Sequence, residues 1–303
     1  MKVGAAPVSF GVYRPPEAGS GLSPDHLVAA MASSGYDGAE LPPAGYAGPP
    51  GTAARLFEKH GLVPVGIYIP IHFADPELRI GDEHRMEEAL RELEEAGAGP
   101  RLAILADEGS DFLLRHPARG DDPTHALAPE AFEELCAAAH WMADEIRRRG
   151  LVPSFHPHIS TYVESPDEVE RLLELTDIDL TFDTGHIALG GGDILERFAA
   201  WRERINHIHL KDVRHEVLEE AKSRGRDDFD VWWADVSVPL GEGDLPLGQF
   251  LVQLSEAGYR GWVVVEQDRA PICSEAGLRS AAGVQTRNLA WVRQVEKGLS
   301  GES

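Results

Sequence analysis

Cysteine is scarce: Cys136 and Cys273 are the two among 303 residues, too few for a disulfide framework and not placed at metal-binding spacing. Cys136 falls in the apolar helical run AFEELCAAAHWMADEI and reads as a small core side chain. Positive charge is also in short supply. The chain carries 28 Lys+Arg against 51 Asp+Glu, a formal net charge of −23. That balance opposes approach to a polyanion, so neither nucleic acid nor an anionic membrane is an expected partner. No stretch approaches the ~18 consecutive apolar residues of a membrane span. The opening MKVGAAPVSFGVY has neither the long apolar stretch nor the cleavage context of a signal peptide. The expected compartment is the cytoplasm. A G-x-G-x-x-G phosphate-binding fingerprint is missing too, and Gly190-Gly191-Gly192 reads as a loop.

What is present is ordinary globular composition, 43% hydrophobic and 26% charged, arranged in a strict alternation. Eight short apolar runs occur at 2–10, 36–41, 62–71, 101–107, 151–158, 178–184, 205–213 and 261–267. Several are rich in Val and Ile, as buried parallel strands are. Between them lie amphipathic runs at 23–36, 83–99, 129–150 and 165–176, then DILERFAAWRERI, PLGQFLVQLSEAGY and a last one from about 275 to 297. Ser165 with Glu168 three residues on makes a capping box. Eight strand–helix alternations predict an α/β fold, a single (β/α)₈ TIM barrel spanning residues 1–303. The segment 214–244 is too long for a simple βα loop. It carries Arg214, Trp232 and Trp233. We expect it to cover the barrel mouth, its own or that of a neighbouring subunit in a homo-oligomer, with these three residues contacting substrate.

In such a barrel the active site lies at the C-terminal ends of the strands. The residues there are Glu40, His72, Asp107, Glu108, His156, His158, Asp183, His186, His207, His209, Lys211, Asp212 and Glu266. Side chains two apart on a strand share a face. His156 and His158 therefore point the same way, as do His207, His209 and Lys211. Glu266 ends the apolar run WVVVE, where a carboxylate is costly to bury without a partner. His156, Asp183, His209 and Glu266 come from four adjacent strand ends. Two imidazoles and two carboxylates suit a divalent metal; Mn²⁺, Co²⁺ or Mg²⁺ fit, and Zn²⁺ remains allowed.

FDTGHIALGGGD (182–193), HIHLKDVR (207–214) and VVVEQDRAP (263–271) resemble the xylose isomerase-like TIM-barrel superfamily of sugar isomerases, epimerases and dehydratases. Within it the chain is most similar to the inosose dehydratase branch. FHPHISTYVES (155–165) shows a His-rich fifth strand where many isomerases have Glu, and VSVPLGEGD (236–244), the Glu-Gln-Asp of 266–268 and APVSFG (6–11) match as well. The resemblance implies a small polyol or sugar substrate. It assigns the metal ligands to His156, Asp183, His209 and Glu266, places His158 and His186 beside the substrate, and makes Lys211 a charged catalytic group. Glu40 and His72 are expected to bind substrate. The implied reaction is dehydration of a keto-polyol such as 2-keto-myo-inositol. Aldose–ketose isomerisation or epimerisation shares its first deprotonation. Which residue is general base and which general acid stays open.

Overall fold

The structure is a computed structural model and describes residues 1–15, 22–97, 101–116, 118–119, 123–224 and 236–300. Its strands are β1 (Lys2–Ala5), β2 (Gly38–Ala39), β3 (Val63–Pro64), β4 (Gly66–Ile71), β5 (Leu102–Asp107), β6 (Val152–Phe155), β7 (Leu180–Asp183), β8 (Ile205–Leu210), β9 (Asp212–Val213), β10 (Ser237–Val238) and β11 (Trp262–Val265). The α-helices are α1 (Pro24–Ser33), α2 (Thr52–His60), α3 (Pro76–Glu95), α4 (Asp111–Arg115), α5 (Pro129–Arg148), α6 (Pro166–Leu175), α7 (Thr184–Leu189), α8 (Ile194–Trp201), α9 (His215–Ser223), α10 (Leu247–Glu256) and α11 (Glu275–Ser300).

The large sheet runs β3-β2-β1-β11-β8-β7-β6-β5-β4, and the pairings are parallel. Its two outermost members, β3 and β4, are halves of one run interrupted at Val65. Val65 N–H donates to the Ala39 carbonyl (2.9 Å) and its own carbonyl accepts from Leu102 N–H (3.3 Å). The sheet therefore closes on itself at eight positions, the (β/α)₈ barrel that the alternation predicts. The strands are shorter than the apolar runs. Residues 7–10, for example, leave the first strand as a 3-10 turn begun by Pro7.

Alternation sorts each strand into two layers. On β8, Ile208 and Leu210 join the main core between sheet and helices, as do Val263 and Val265 of β11 and Phe155 of β6. The opposite faces turn inward. A plug of Ala6, Val65, Leu102, Ile104, Trp262 and Val264 fills the barrel's lower interior. Above it the inward positions become polar. The capping box at α6 forms as expected, with Glu168 N–H donating to Ser165 Oγ and Glu168 Oε2 accepting from Ser165 N–H.

The described parts of the segment 214–244 include regular structure. They hold α9 and β10, and β10 pairs antiparallel with β9. Leu218, Ala221 and Val236 pack with Ile159, Leu189 and Val213, at the strands' C-terminal end. Trp232 and Trp233 lie outside the described residues. The helix α2 has no counterpart in the sequence reading, and α3 begins at Pro76, capped by Asp75, seven residues earlier than the pattern suggests. No helix among the described residues is long and apolar enough to cross a membrane.

Candidate active site

The inward face at the strands' C-terminal ends is a ring of ionisable side chains. Strand register builds it. Asp183 pairs directly with His209, and His209 with Val264, two residues before Glu266. Asp183 also caps α7. Its Oδ1 accepts from His186 N–H at 2.8 Å, which leaves Oδ2 facing the barrel interior.

Around that oxygen the sequence-predicted set assembles. Asp183 Oδ2 lies 3.5 Å from His156 Nε2 and 3.7 Å from His209 Nδ1. All three atoms are buried and make no well-formed hydrogen bond, although His209 Nδ1 lies within ion-pair distance of Glu266 and Asp183 Oδ2 within that of Lys211. One ligand atom from each of His156, Asp183 and His209 lies within 4.8 Å of the others, and the same holds for Asp183, His186 and Glu266. Glu266 Oε2 stands 2.8 Å from His209 Nδ1. Stranding several polar atoms together inside a protein is costly. A shared cation would satisfy them together, so these donors fit a divalent metal.

His209 is oriented from its other side. Its Nε2–H donates to Glu40 Oε1 at 2.7 Å, and His207 Nε2–H donates to the same oxygen at 2.8 Å. Burial would raise the Glu40 pKa, but the charges and hydrogen bonds of His209 and His207 outweigh it and hold the carboxyl down to about 2. On its other side His209 turns Nδ1 to Glu266 and Asp183, and although burial lowers its pKa, Glu40 and Glu266 outweigh that and raise it well above normal.

Lys211 is fully buried. Its ammonium donates to His186 Nε2 (2.8 Å) and pairs with Asp268 Oδ2 (2.7 Å), Glu266 Oε1 (2.8 Å) and Asp183 Oδ2 (3.4 Å). Burial pulls its pKa down, but Asp183, Asp268 and Glu266 override that and raise it well above normal, so it stays charged. His186 stacks on His158 with ring centroids 3.7 Å apart. Burial and the neighbouring His158 and Lys211 keep His186 neutral. His158 Nδ1–H donates to the Ile159 carbonyl at 2.6 Å. Burial, with His156 and Lys211 close by, lowers its pKa to about 3, so the ring is neutral and Nε2 is its acceptor.

A cavity of about 280 Å³ opens over this cluster. Its lining includes the apolar Val8, Val12, Leu41, Pro43, Leu114 and Ile159 and the polar Tyr68, Glu108, His156, His158, Glu266 and Asp268. Neither Arg nor Lys lines it among the described residues.

Two residues expected at the substrate are elsewhere. The His72 backbone N–H and ring Nδ1 both bond Asp82 Oδ2 of α3, at 2.7 and 2.9 Å, so the ring turns to the helix layer and does not line the cavity. Arg214 Nε donates to the Glu242 carbonyl and steadies the turn before α10. Glu40 does line the cavity, with its hydrogen bonds committed to the two histidines.

Other cavity residues carry no role in the sequence reading: Glu108, Asp268, Tyr68 and Tyr13. Strand alternation points to two of them. Asp268 shares the face of Glu266, while Gln267 between them turns outward to Gln285 and Asn288 of α11. Glu108 shares the inward face of Leu102 and Ile104. Asp107 points away from the cavity and accepts from Tyr162 N–H at 2.9 Å.

A family model described as xylose isomerase-like TIM barrel matches residues 28–295. The chain belongs to that family. An inosose dehydratase of Geobacillus kaustophilus (strain HTA426) is 28% identical over 280 residues, covering 89% of this chain and 88% of its own. The rhizopine catabolism protein MocC of Rhizobium meliloti is 28% identical over 285 residues, covering 89% of this chain and 82% of its own. Among solved structures, a D-allulose 3-epimerase from Methylomonas sp. in complex with D-allulose matches with a TM-score of 0.68 at 13% identity, over 97% of this chain and 96% of its own. At that identity the likeness speaks for the fold alone. Family membership agrees with the resemblance carried by 182–193, 207–214 and 263–271.

Proposed function

We propose that the protein is a divalent-metal-dependent lyase that removes water from an uncharged keto-polyol, of which 2-keto-myo-inositol is the leading example. The observation that carries this reading is the convergence of the buried ligand atoms of His156, Asp183 and His209, none of them in a well-formed hydrogen bond, beneath a cavity without a basic residue among the described lining. A phosphate or carboxylate substrate needs a cation to meet it; this lining offers carboxylates. Hydroxyl groups suit it well, and its apolar residues suit the C–H face of a ring. The similarity to an inosose dehydratase at 28% identity supports the same chemistry.

His156, Asp183, His209 and Glu266 would hold the cation, and their mix of imidazole and carboxylate favours Mn²⁺ or Co²⁺. When bound, such an ion supplies positive charge where a ketone oxygen gains negative charge as the neighbouring carbon is deprotonated. His158, neutral and on the cavity wall, accepts that proton at Nε2. Lys211 keeps Glu266 and Asp268 fixed and contributes positive charge beneath the site. Glu40 locks the His209 tautomer. The apolar residues of the lining keep water away from the carbanionic substrate. A His at position 156, where the family's isomerases have Glu, favours dehydration over isomerisation.

The test is to strip the protein with a chelator, reload it with Mn²⁺ or Co²⁺, and incubate it with 2-keto-myo-inositol and a panel of ketoses and aldoses. Rising enone absorbance in the ultraviolet, lost on chelation and restored by metal, is the expected result. Glu266→Gln lowers metal affinity and turnover together. Interconverted sugars without enone would assign the protein to isomerisation or epimerisation. Full activity in metal-free buffer would remove the cation from the scheme.

A further inference from the structure

Dehydration needs a proton donor as well as an acceptor, because hydroxide is a poor leaving group. The carboxyls around the cavity are mostly committed. Glu266 and Asp268 face the Lys211 ammonium, at 2.8 and 2.7 Å. Glu40 holds two imidazoles. Glu108 differs from all of these. It follows β5, its backbone N–H is tied to the Ile71 carbonyl at 2.9 Å, and its side chain lines the cavity. Among the described residues, no hydrogen bond or ion pair reaches its carboxyl. It lines the same cavity as His158, so a substrate there meets an imidazole and a carboxyl that no other described residue holds.

We propose that Glu108 is the acid that protonates the departing hydroxyl, a catalytic residue lining the same cavity as the histidine acceptor. The step rests on the dehydratase reading above and balances as follows. The C–H bond next to the ketone breaks and its proton passes to His158 Nε2. The freed electron pair is first held as the substrate's enolate, and in a second step it forms the new C=C bond as the adjacent C–O bond breaks. The Glu108 O–H proton joins the departing oxygen, which leaves as water. The proton held by His158 then returns through solvent to the Glu108 carboxylate, restoring both groups.

The protonation state agrees with this geometry. Burial raises the Glu108 carboxyl from the usual range to about 7. His72 and Arg85 pull it down, Asp107 and Asp82 push it up, and the net effect is upward. At neutral pH a substantial fraction holds its proton. The acid form is the active one, so turnover falls as pH rises through about 7.

The test uses the metal-loaded full chain and Glu108→Gln, which keeps the shape and removes the proton. Three rates are read: enone formation from the keto-polyol, exchange of its α hydrogen in D₂O, and fluoride release from an analogue bearing fluorine in place of the β hydroxyl. Fluoride leaves without needing a proton. The expected result is enone formation reduced about 10²–10⁴-fold, with α exchange and fluoride release within a few-fold of wild type. Loss of the alkaline limb near pH 7 from the residual activity is expected with it. Unchanged enone formation in Glu108→Gln overturns the proposal. So does a parallel loss of all three rates in a variant with wild-type melting temperature, which would make Glu108 a binding residue. Wild-type protein that exchanges the α hydrogen without releasing water or fluoride overturns the dehydratase reading instead, and the acid step falls with it.

Discussion

Single side chains here have two ends, and each end is used. Asp183 caps α7 with one oxygen and offers the other to the site. His209 gives Nε2–H to Glu40 and turns Nδ1 toward Asp183. Histidine ligands in metal sites commonly have such a carboxylate behind them, and its loss weakens metal binding about 10–100-fold. Glu40→Gln keeps an oxygen in reach of both imidazoles but removes the negative charge that fixes the tautomer. Metal affinity, measured by competition with a chelating dye, is expected to drop within that range while circular dichroism stays unchanged. Wild-type affinity in the variant would deny Glu40 this part. The pair Asp107 and Glu108 makes a related point. They are neighbours in sequence, yet one carboxyl pins the 160–164 loop and the other opens on the cavity, because consecutive strand residues face opposite ways.

Elements carry the site through close approach and capping. The helix α7 starts directly at the end of β7, and Thr184 ties Lys211 to it from both sides: its hydroxyl donates to the Lys211 carbonyl (2.7 Å) and accepts from its N–H (2.9 Å). Gly185 lets the lysine stem pass. A Cβ there would stand 2.6 Å from Lys211 Cδ. Gly185→Ala is therefore expected to destabilise by about 1–3 kcal/mol through overpacking and to lower turnover by displacing the ammonium. Gly283 of α11 has open space around it. Gly283→Ala is expected to be neutral or to stabilise by about 0.5–1 kcal/mol. Urea titrations of the two variants compare them directly, and equal effects would discard the steric account. The VPLGEGD turn has a similar cause. The Asp212 carboxylate accepts from Gly241 N–H (2.8 Å), Gly243 N–H (3.0 Å) and Leu245 N–H (3.3 Å). A Cβ on Gly243 would lie 2.2 Å from that carboxylate, so the position needs glycine.

At the scale of the molecule, barrel closure brings distant segments to one point, and stability becomes linked to whatever the site holds. A ligand that binds only the folded chain adds about 2.7 kcal/mol at a hundred times its Kd. The melting temperature is thus expected to climb with Mn²⁺ or Co²⁺ concentration and to fall back on chelation. His156→Ala should flatten that response. A melting temperature indifferent to metal would count against the site whatever the activity data say. By itself the sequence determined the eight-fold alternation, the closed barrel and the gathering of His156, Asp183, His209 and Glu266, because strand periodicity and strand-end position are local properties written in consecutive residues. It did not reveal that Glu40 bonds His207 across a separation of 167 residues, that His72 turns to Asp82, or that Glu108 faces the cavity without a partner. Those depend on how the strands tilt and on the register at which β3 and β4 complete the ring. Only the closed barrel sets which side chains meet across its interior.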